Sequence, residues 1–150
     1  LAGCKESTTT PDEKNATKVD MAELLHYPGF VNFKTSYDEY EPNAELIDSI
    51  KAAFKSSDQK LYLYLKPECS CSATLVTFPK LMKTLDEAGI PQSNIMLYVM
   101  NDMTYNYPEK HKISLTDLPE FFVENNTSII NITEIPDKST IEQEVFNSLK

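Results

Sequence analysis

The sequence predicts an α/β domain with a mixed central sheet and helices on both faces. Residues 60–65 and 94–100 are apolar at nearly every position, which is typical of central strands covered on both sides. A helical stripe of apolar residues separates these two runs, so the strands should pair in parallel through a right-handed crossover. Two further strand-like runs follow and are joined by a short Asn-rich turn, which predicts an antiparallel hairpin.

The first third of the domain is expected to contain one strand and two helical segments. Residues 21–26 predict a short helical turn. Residues 30–34 alternate apolar and polar side chains, which favours a half-buried strand. Asn43 is a favourable N-cap for the next helix. The apolar side chains of that helix keep helical spacing at Leu46, Ile47, Ile50 and Phe54.

The helix after the strand at 60–65 has apolar residues from Leu75 to Leu85 at helical spacing. Pro79 should kink this helix, and Gly89 should end it. Residues 101–113, which follow the strand at 94–100, are polar and aromatic and leave room for a loop and a short helix.

The C-terminal part should form the hairpin and a last helix. The hairpin strands are residues 120–124 and 129–133. The run Ser139-Thr140-Ile141-Glu142 matches a capping box that opens the helix. The expected order is therefore β-α-β-α-β-(α)-β-β-α, where the helix in brackets belongs to residues 101–113.

Composition excludes several classes of function. The 150-residue chain has 41% hydrophobic residues, enough for one ordinary core. Its formal net charge is −9, and all 14 basic residues are Lys, so the basic surface and Arg side chains typical of nucleic-acid binders are missing. The sequence contains no run of about 18 apolar residues, so it does not predict a membrane-spanning helix.

The first 20 residues predict a lipid anchor and a tether. Leu1-Ala2-Gly3-Cys4 resembles the lipobox of bacterial lipoproteins, in which the Cys is acylated and becomes the first mature residue. Residues 5–20 have too few apolar side chains to offset the entropy of ordering. We therefore expect residues 1–20 to be a lipobox and disordered tether, and residues 21–150 to be the domain. The resemblance implies an extracytoplasmic protein anchored to the bacterial cell membrane only through lipidated Cys4.

The remaining two cysteines, Cys69 and Cys71, lie between a buried strand and a helix. Backbone N–H groups and the helix dipole stabilise a thiolate at such a position, which lowers the pKa of the thiol below the usual value of about 8.5. Lys66 should add to this effect, and Glu68 should oppose it. The Cys-Ser-Cys loop is therefore the strongest candidate for chemistry in the chain.

At this point the chain resembles the thioredoxin-like superfamily over residues 30–150. The resemblance rests on the element order, the Cys-bearing turn, the kinking Pro79, and Leu118-Pro119 ahead of the hairpin. It implies a three-layer thioredoxin-like fold in which Pro119 is cis and faces the redox Cys. It also implies thiol–disulfide exchange by a monomer without cofactors, with protein thiol or disulfide substrates and a membrane thiol–disulfide relay as partners.

The family's usual redox pair is Cys-x-x-Cys, with the first Cys eight residues before the kinking Pro. In this chain that position is Cys71, the second Cys position falls on Thr74, and Cys69 is an additional thiol. In one assignment, Cys69 and Cys71 form a reversible disulfide, which is more oxidising than a structural bridge because closure over one residue is strained. In the other, Cys71 is a lone nucleophile, Thr74 hydrogen-bonds its thiolate, and Cys69 resolves the mixed disulfide or is a bystander.

Two other functions compete with the redox assignment. A redox-silent thioredoxin-like domain that binds a partner would need no activated thiol. A Cu(I) site could use the Cys-x-Cys pair as soft ligands, with further ligands on neighbouring predicted elements. Those candidate ligands are Met96, Met100, Met103 and His111, although the first two also fit as strand core.

Overall fold

A five-stranded mixed sheet forms the centre of the protein, whose computed structural model describes residues 14–150. The strand order across the sheet is β1-β3-β2-β4-β5. The central pair β2 and β3 is parallel, as the sequence predicts, and the other three pairs are antiparallel. The strands are β1 (Thr17–Val19), β2 (Lys60–Leu65), β3 (Ile95–Val99), β4 (Glu120–Glu124) and β5 (Ile129–Asn131).

Five α-helices accompany the sheet: α1 (Met21–Leu24), α2 (Phe33–Glu39), α3 (Ala44–Ala53), α4 (Phe78–Glu87) and α5 (Ile141–Leu149). A π-helical segment, Ala73–Thr77, runs directly into α4, so the irregularity expected at Pro79 lies in the turn before it. The predicted helix end is confirmed at Gly89, whose φ of 73° is the left-handed conformation that glycine adopts without strain. None of the helices within residues 14–150 is long and apolar enough to cross a membrane.

The helices gather on one face of the sheet, which corrects the prediction of helices on both faces. Leu61, Leu63 and Leu65 of β2 point into the same core as the buried residues of α3, α4 and α5. The alternate β2 residues Tyr62 and Tyr64 point into a second core to which no described helix contributes. This second face is covered by irregular chain between β3 and β4.

The covering segment, residues 101–118, forms turns instead of the short helix that the sequence left room for. Its buried carboxylate, Glu109, accepts hydrogen bonds from Tyr64 Oη at 2.7 Å and Tyr98 Oη at 3.0 Å. Tyr107 Oη donates to the carbonyl of Ile113 at 2.8 Å. The hydroxyls of Tyr64 and Tyr98 therefore hold the segment to the sheet, and a helix is not needed to close this face.

The strand predicted at residues 30–34 is wrong. Pro28–Phe30 is a 3₁₀ turn, and Phe33 begins helix α2. The spacing of Phe30, Phe33 and Tyr37 is helical, and it places Phe30 and Phe33 against the Phe78 ring at 5.6 and 5.5 Å between centroids. Helical packing against this ring outweighs the short alternating pattern.

The edge strand β1 lies within the stretch assigned to the tether, so ordered structure begins before residue 21. Thr17 to Val19 pair with β3, and Ala16 N donates to the Asn106 carbonyl at 2.8 Å. Asp20 and Glu23 then form a capping box at the start of α1. Backbone hydrogen bonds order this stretch, and the hydropathy of its side chains does not predict them.

The N-cap of the last helix lies one residue after the predicted cap, Ser139. Thr140 is the N-cap, and its hydroxyl accepts from Gln143 N at 3.2 Å. Glu142, predicted to complete the capping box, is buried and instead accepts a hydrogen bond from Asn43 N at 2.7 Å and another from the Tyr40 hydroxyl. Glu142 therefore ties α5 to the start of α3.

Candidate functional site

Cys69 and Cys71 are joined by a disulfide in the loop that follows β2. Their Cα atoms are 5.3 Å apart, and both residues are half-buried, with exposed Ser70 between them. The Cys71 N–H donates to Cys69 Sγ at 3.3 Å. Of the two assignments that the sequence leaves open, the structure contains the bridged one.

The chain becomes helical directly after Cys71. Its carbonyl accepts hydrogen bonds from Thr74 N at 3.2 Å and Leu75 N at 3.0 Å. Thr74 Oγ1 lies 3.3 Å from Cys71 Sγ, and the hydroxyl is the donor because a disulfide sulfur carries no hydrogen. Since Thr74 is buried, its hydroxyl is shielded from competing water in the bridged protein.

A groove of about 710 Å³ begins at Cys71 and runs between the start of the π-helical segment and the N-terminus of α5. Pro119 lines the same groove and is buried, and the Leu118–Pro119 peptide bond is cis, as the resemblance implies. Cys71 is the only cysteine among the described residues that line it. A molecule lying in the groove therefore meets Cys71 before Cys69.

The groove has walls that the sequence did not reveal. Tyr40, Val76, Lys80 and Ile141 line it, and they come from α4, α5, the π-helical segment and the residue after α2. Val76 and its neighbour Leu75 are partly exposed apolar side chains, at 44% and 37%. Because these residues are far apart in the chain, only the packing of the helices brings them together.

Two side chains on the groove wall, Lys80 and Tyr40, interact with each other. Lys80 Nζ lies 5.1 Å from the centre of the Tyr40 ring, which favours the ammonium through a cation–π contact. Burial, and then the hydrogen bond to the Glu142 carboxylate, raises the pKa of Tyr40 well above its ordinary value. Tyr40 therefore stays neutral over the physiological range and serves as a wall and hydrogen-bond donor.

Lys66, expected to support the Cys71 thiolate, also interacts with a nearby carboxylate. The pKa of Asp102 is lowered first by hydrogen bonds from Thr104 and then by the positive charge of Lys66. The positive charge of Lys66 therefore acts on Asp102, whereas Cys71 Sγ has the Thr74 hydroxyl as its hydrogen-bond donor.

One residue that contacts the cysteine loop was not singled out by the sequence analysis. Gly29 N donates to the Pro67 carbonyl at 2.9 Å, so the 3₁₀ turn is bonded directly to the chain before Cys69. A Cβ atom built on Gly29 would lie 3.0 Å from Pro67 O and 3.2 Å from Cys69 N. Glycine is favoured where two backbones approach each other closely. This approach becomes evident only when the positions of both segments are known.

The candidate metal ligands are dispersed. Met100 is buried in the second core, Met96 packs against that core, and Met103 and His111 are exposed. Among residues 14–150 no group of three or more His, Cys, Asp or Glu side chains is placed to hold a metal ion. Cys4, the predicted lipidation site, lies outside the described residues.

The structure thus brings together four of the residues predicted for the site: Cys69, Cys71, Thr74 and Pro119. No protein-family model, curated protein or solved structure matches the chain. Any function must therefore be argued from the chemistry of the groove and the disulfide.

Proposed function

We propose that this protein is a thioredoxin-like, lipid-anchored extracytoplasmic protein that carries out thiol–disulfide exchange through the Cys69–Cys71 bridge. The observation that carries the proposal is the placement of Cys71, a half-buried disulfide sulfur on the wall of an open groove beside Pro119. A structural disulfide that stabilises a fold joins distant segments and gains from the loop entropy it removes. This bridge spans one residue, so reactivity accounts for it better than stability does.

The chemistry follows from which sulfur a substrate meets. A substrate thiolate in the groove attacks Cys71 Sγ, the Cys69–Cys71 bond breaks, and Cys69 leaves as a thiolate. The Cys71 N–H, 3.3 Å from Cys69 Sγ, stabilises the charge on this leaving group.

The second step releases the substrate. A second substrate thiolate attacks the substrate sulfur of the mixed disulfide, and Cys71 leaves as a thiolate supported by the Thr74 hydroxyl. The substrate loses two electrons and the bridge gains them, while the two thiol protons pass to solvent or to the reduced cysteines. A membrane thiol–disulfide relay then reoxidises the pair, and the reverse sequence reduces a substrate disulfide.

The partners in this proposal are protein thiols or disulfides, without a cofactor or nucleic acid, and the protein acts as a monomer. An extended polypeptide would lie in the groove of about 710 Å³, and the partly exposed Leu75 and Val76 beside it offer apolar contact. Membrane contact is made only through acylated Cys4. The net charge of −9 keeps the domain itself away from anionic lipid surfaces.

A trapping experiment tests the proposal. A dithiol peptide is oxidised by the bridged protein; the Cys69→Ser and Cys71→Ser variants, which have no bridge, are given the same peptide in its disulfide form, and mixed disulfides are identified by mass spectrometry. We expect Cys69→Ser to accumulate a peptide adduct on Cys71, and Cys71→Ser to abolish exchange. If both variants exchange like the unmodified protein, the redox proposal is wrong.

The second candidate is a redox-silent domain that binds a partner in the same groove. The partly exposed apolar pair Leu75 and Val76 favours it, because Val76 lines the groove, Leu75 lines the cavity next to it, and binding there needs no thiol chemistry. A partner that binds equally to the bridged protein and to the Cys69→Ser, Cys71→Ser double variant would support this function instead.

A further inference from the structure

We propose that Gly29 is a positioning residue for the Cys69–Cys71 pair and sets how readily the bridge is reduced. The inference rests on the proposed redox function, because it names a residue that sets the reduction equilibrium of the same bridge. It depends on the contact between the 3₁₀ turn Pro28–Phe30 and the chain that leads into the bridge.

The contact consists of one hydrogen bond and one close backbone approach. Gly29 N–H donates to the Pro67 carbonyl at 2.9 Å. The position that a Cβ would occupy is 3.0 Å from that oxygen, 3.2 Å from Cys69 N and 3.4 Å from Glu68 Cα. Cys69 and the two residues before it therefore rest against Gly29, which lies 40 positions before Cys69 in the chain.

The 3₁₀ turn is itself firmly placed, so it acts as a fixed support. Phe30 is 2% exposed, and its ring lies edge-on to Phe78 with centroids 5.6 Å apart. Phe78 is fully buried at the start of α4, in the same helical run that follows Cys71. Gly29 is thus linked to both sides of the bridge, to Cys69 directly and to Cys71 through the helix.

The two oxidation states respond differently to a disturbance at this contact. In the oxidised protein the bridge fixes Cys69 relative to Cys71, so the chain at residues 67–69 has little freedom to move away from a new methyl group. After reduction that covalent constraint is gone, and the chain can shift. A side chain at position 29 therefore raises the free energy of the oxidised form more than that of the reduced form.

The test is Gly29→Ala, measured as the equilibrium between bridge and dithiol across a series of glutathione ratios, with alkylation and mass spectrometry as the readout. We expect the ratio of reduced to oxidised protein at a fixed glutathione ratio to rise about tenfold, which corresponds to about 30 mV for this two-electron couple. Val31→Ala is the matched control, because Val31 is 74% exposed next to the same turn, and its equilibrium should not move.

A merely structural role is distinguished by the stability of each oxidation state. If Gly29 only supports the fold, Gly29→Ala lowers the melting temperatures of oxidised and reduced protein equally and leaves the glutathione equilibrium unchanged, and this result overturns the inference. If Gly29→Ala does not fold when oxidised, its folding is followed under reducing conditions: a protein that folds only after reduction supports the inference, and one that folds in neither state overturns it.

Failure of this inference is separable from failure of the proposed function. The glutathione equilibrium reports on the bridge alone, whereas the dithiol peptide reports on exchange with a substrate. A shifted equilibrium in a protein that does not oxidise the peptide would leave Gly29 as the positioning residue and remove the substrate reaction.

Discussion

Replacing Thr74 by Val should slow the chemistry of Cys71 and leave the fold intact. The change removes one hydroxyl, whose oxygen lies 3.3 Å from Cys71 Sγ, and keeps the branched shape of a side chain that is 2% exposed. The described structure gives this hydroxyl no other partner than the sulfur. Its loss should therefore affect the sulfur more than the packing.

The magnitude follows from the charge that the sulfur carries after reduction. A hydrogen bond to a charged group contributes about 1.5–3 kcal/mol, compared with about 1 kcal/mol for a neutral pair. Because Cys71 is half-buried and water competes for the thiolate, we take the lower end of that range. About 1.4 kcal/mol corresponds to a tenfold change, so the thiolate population of Cys71 at neutral pH should fall about tenfold.

The assay is the rate of alkylation of each cysteine in the reduced protein, resolved by peptide mass spectrometry. In the unmodified protein, Cys71 should react faster than Cys69. In Thr74→Val, Cys71 should react about tenfold more slowly than it does in the unmodified protein. Thr84→Val is the matched control, because Thr84 is also a buried threonine of the same helical run, and its hydroxyl donates to the Lys80 carbonyl at 2.8 Å. Equal rates for Cys71 in Thr74→Val and unmodified protein would refute the role given to the hydroxyl.

Three further predictions concern the core, the second face and the anchor. Phe78→Ala should lower the free energy of unfolding by about 3–5 kcal/mol in a urea titration, because the buried ring packs against three other aromatic rings, and a loss below about 1 kcal/mol would contradict this packing. Burial, and then hydrogen bonds to Glu109, raises the pKa of Tyr64 and Tyr98, so their contribution to stability is fully present below about pH 10 and is lost as the pH rises further. In the folded protein the tyrosinate absorbance of these two should appear only with alkaline unfolding, and ionisation at the ordinary pH of a free phenol would contradict their burial. Cys4→Ser in the full precursor should move the protein from the membrane fraction to an unprocessed or soluble form, whereas unchanged partitioning and unchanged mass would exclude acylation.

The parts of the fold that the sequence predicts well are those in which local pattern and tertiary environment agree. The apolar runs at 60–65 and 94–100 are buried on both faces in any α/β sheet, so their parallel pairing follows from the pattern alone. The position of Cys71 before a helix follows equally from the run of strand, polar turn and apolar stripe.

The errors arise where tertiary contacts outweigh local pattern. Residues 30–34 alternate like a strand, but Phe30 and Phe33 are also spaced as one helical face, and only the Phe78 ring decides between the two. The helix-free face depends on tyrosine hydroxyls that reach Glu109, a pairing of residues 45 and 11 positions apart in the chain. Hydropathy does not report either contact.

The candidate site divides in the same way. The spacing of Cys69 and Cys71 predicts that they lie together, whereas Thr74 and Pro119 are assigned to the site by the resemblance. Gly29 and the groove wall at Tyr40 depend on how distant segments meet, so composition and periodicity carry no signal for them.

The most direct test of the redox account is a titration of the Cys69–Cys71 pair against glutathione, with free thiols counted after alkylation. The account predicts a reversible two-electron transition between bridge and dithiol within the range of ratios that glutathione buffers provide, with the reduced form returning fully to the bridge on reoxidation. A pair that stays bridged at every ratio, or two thiols that never form the bridge, would contradict it.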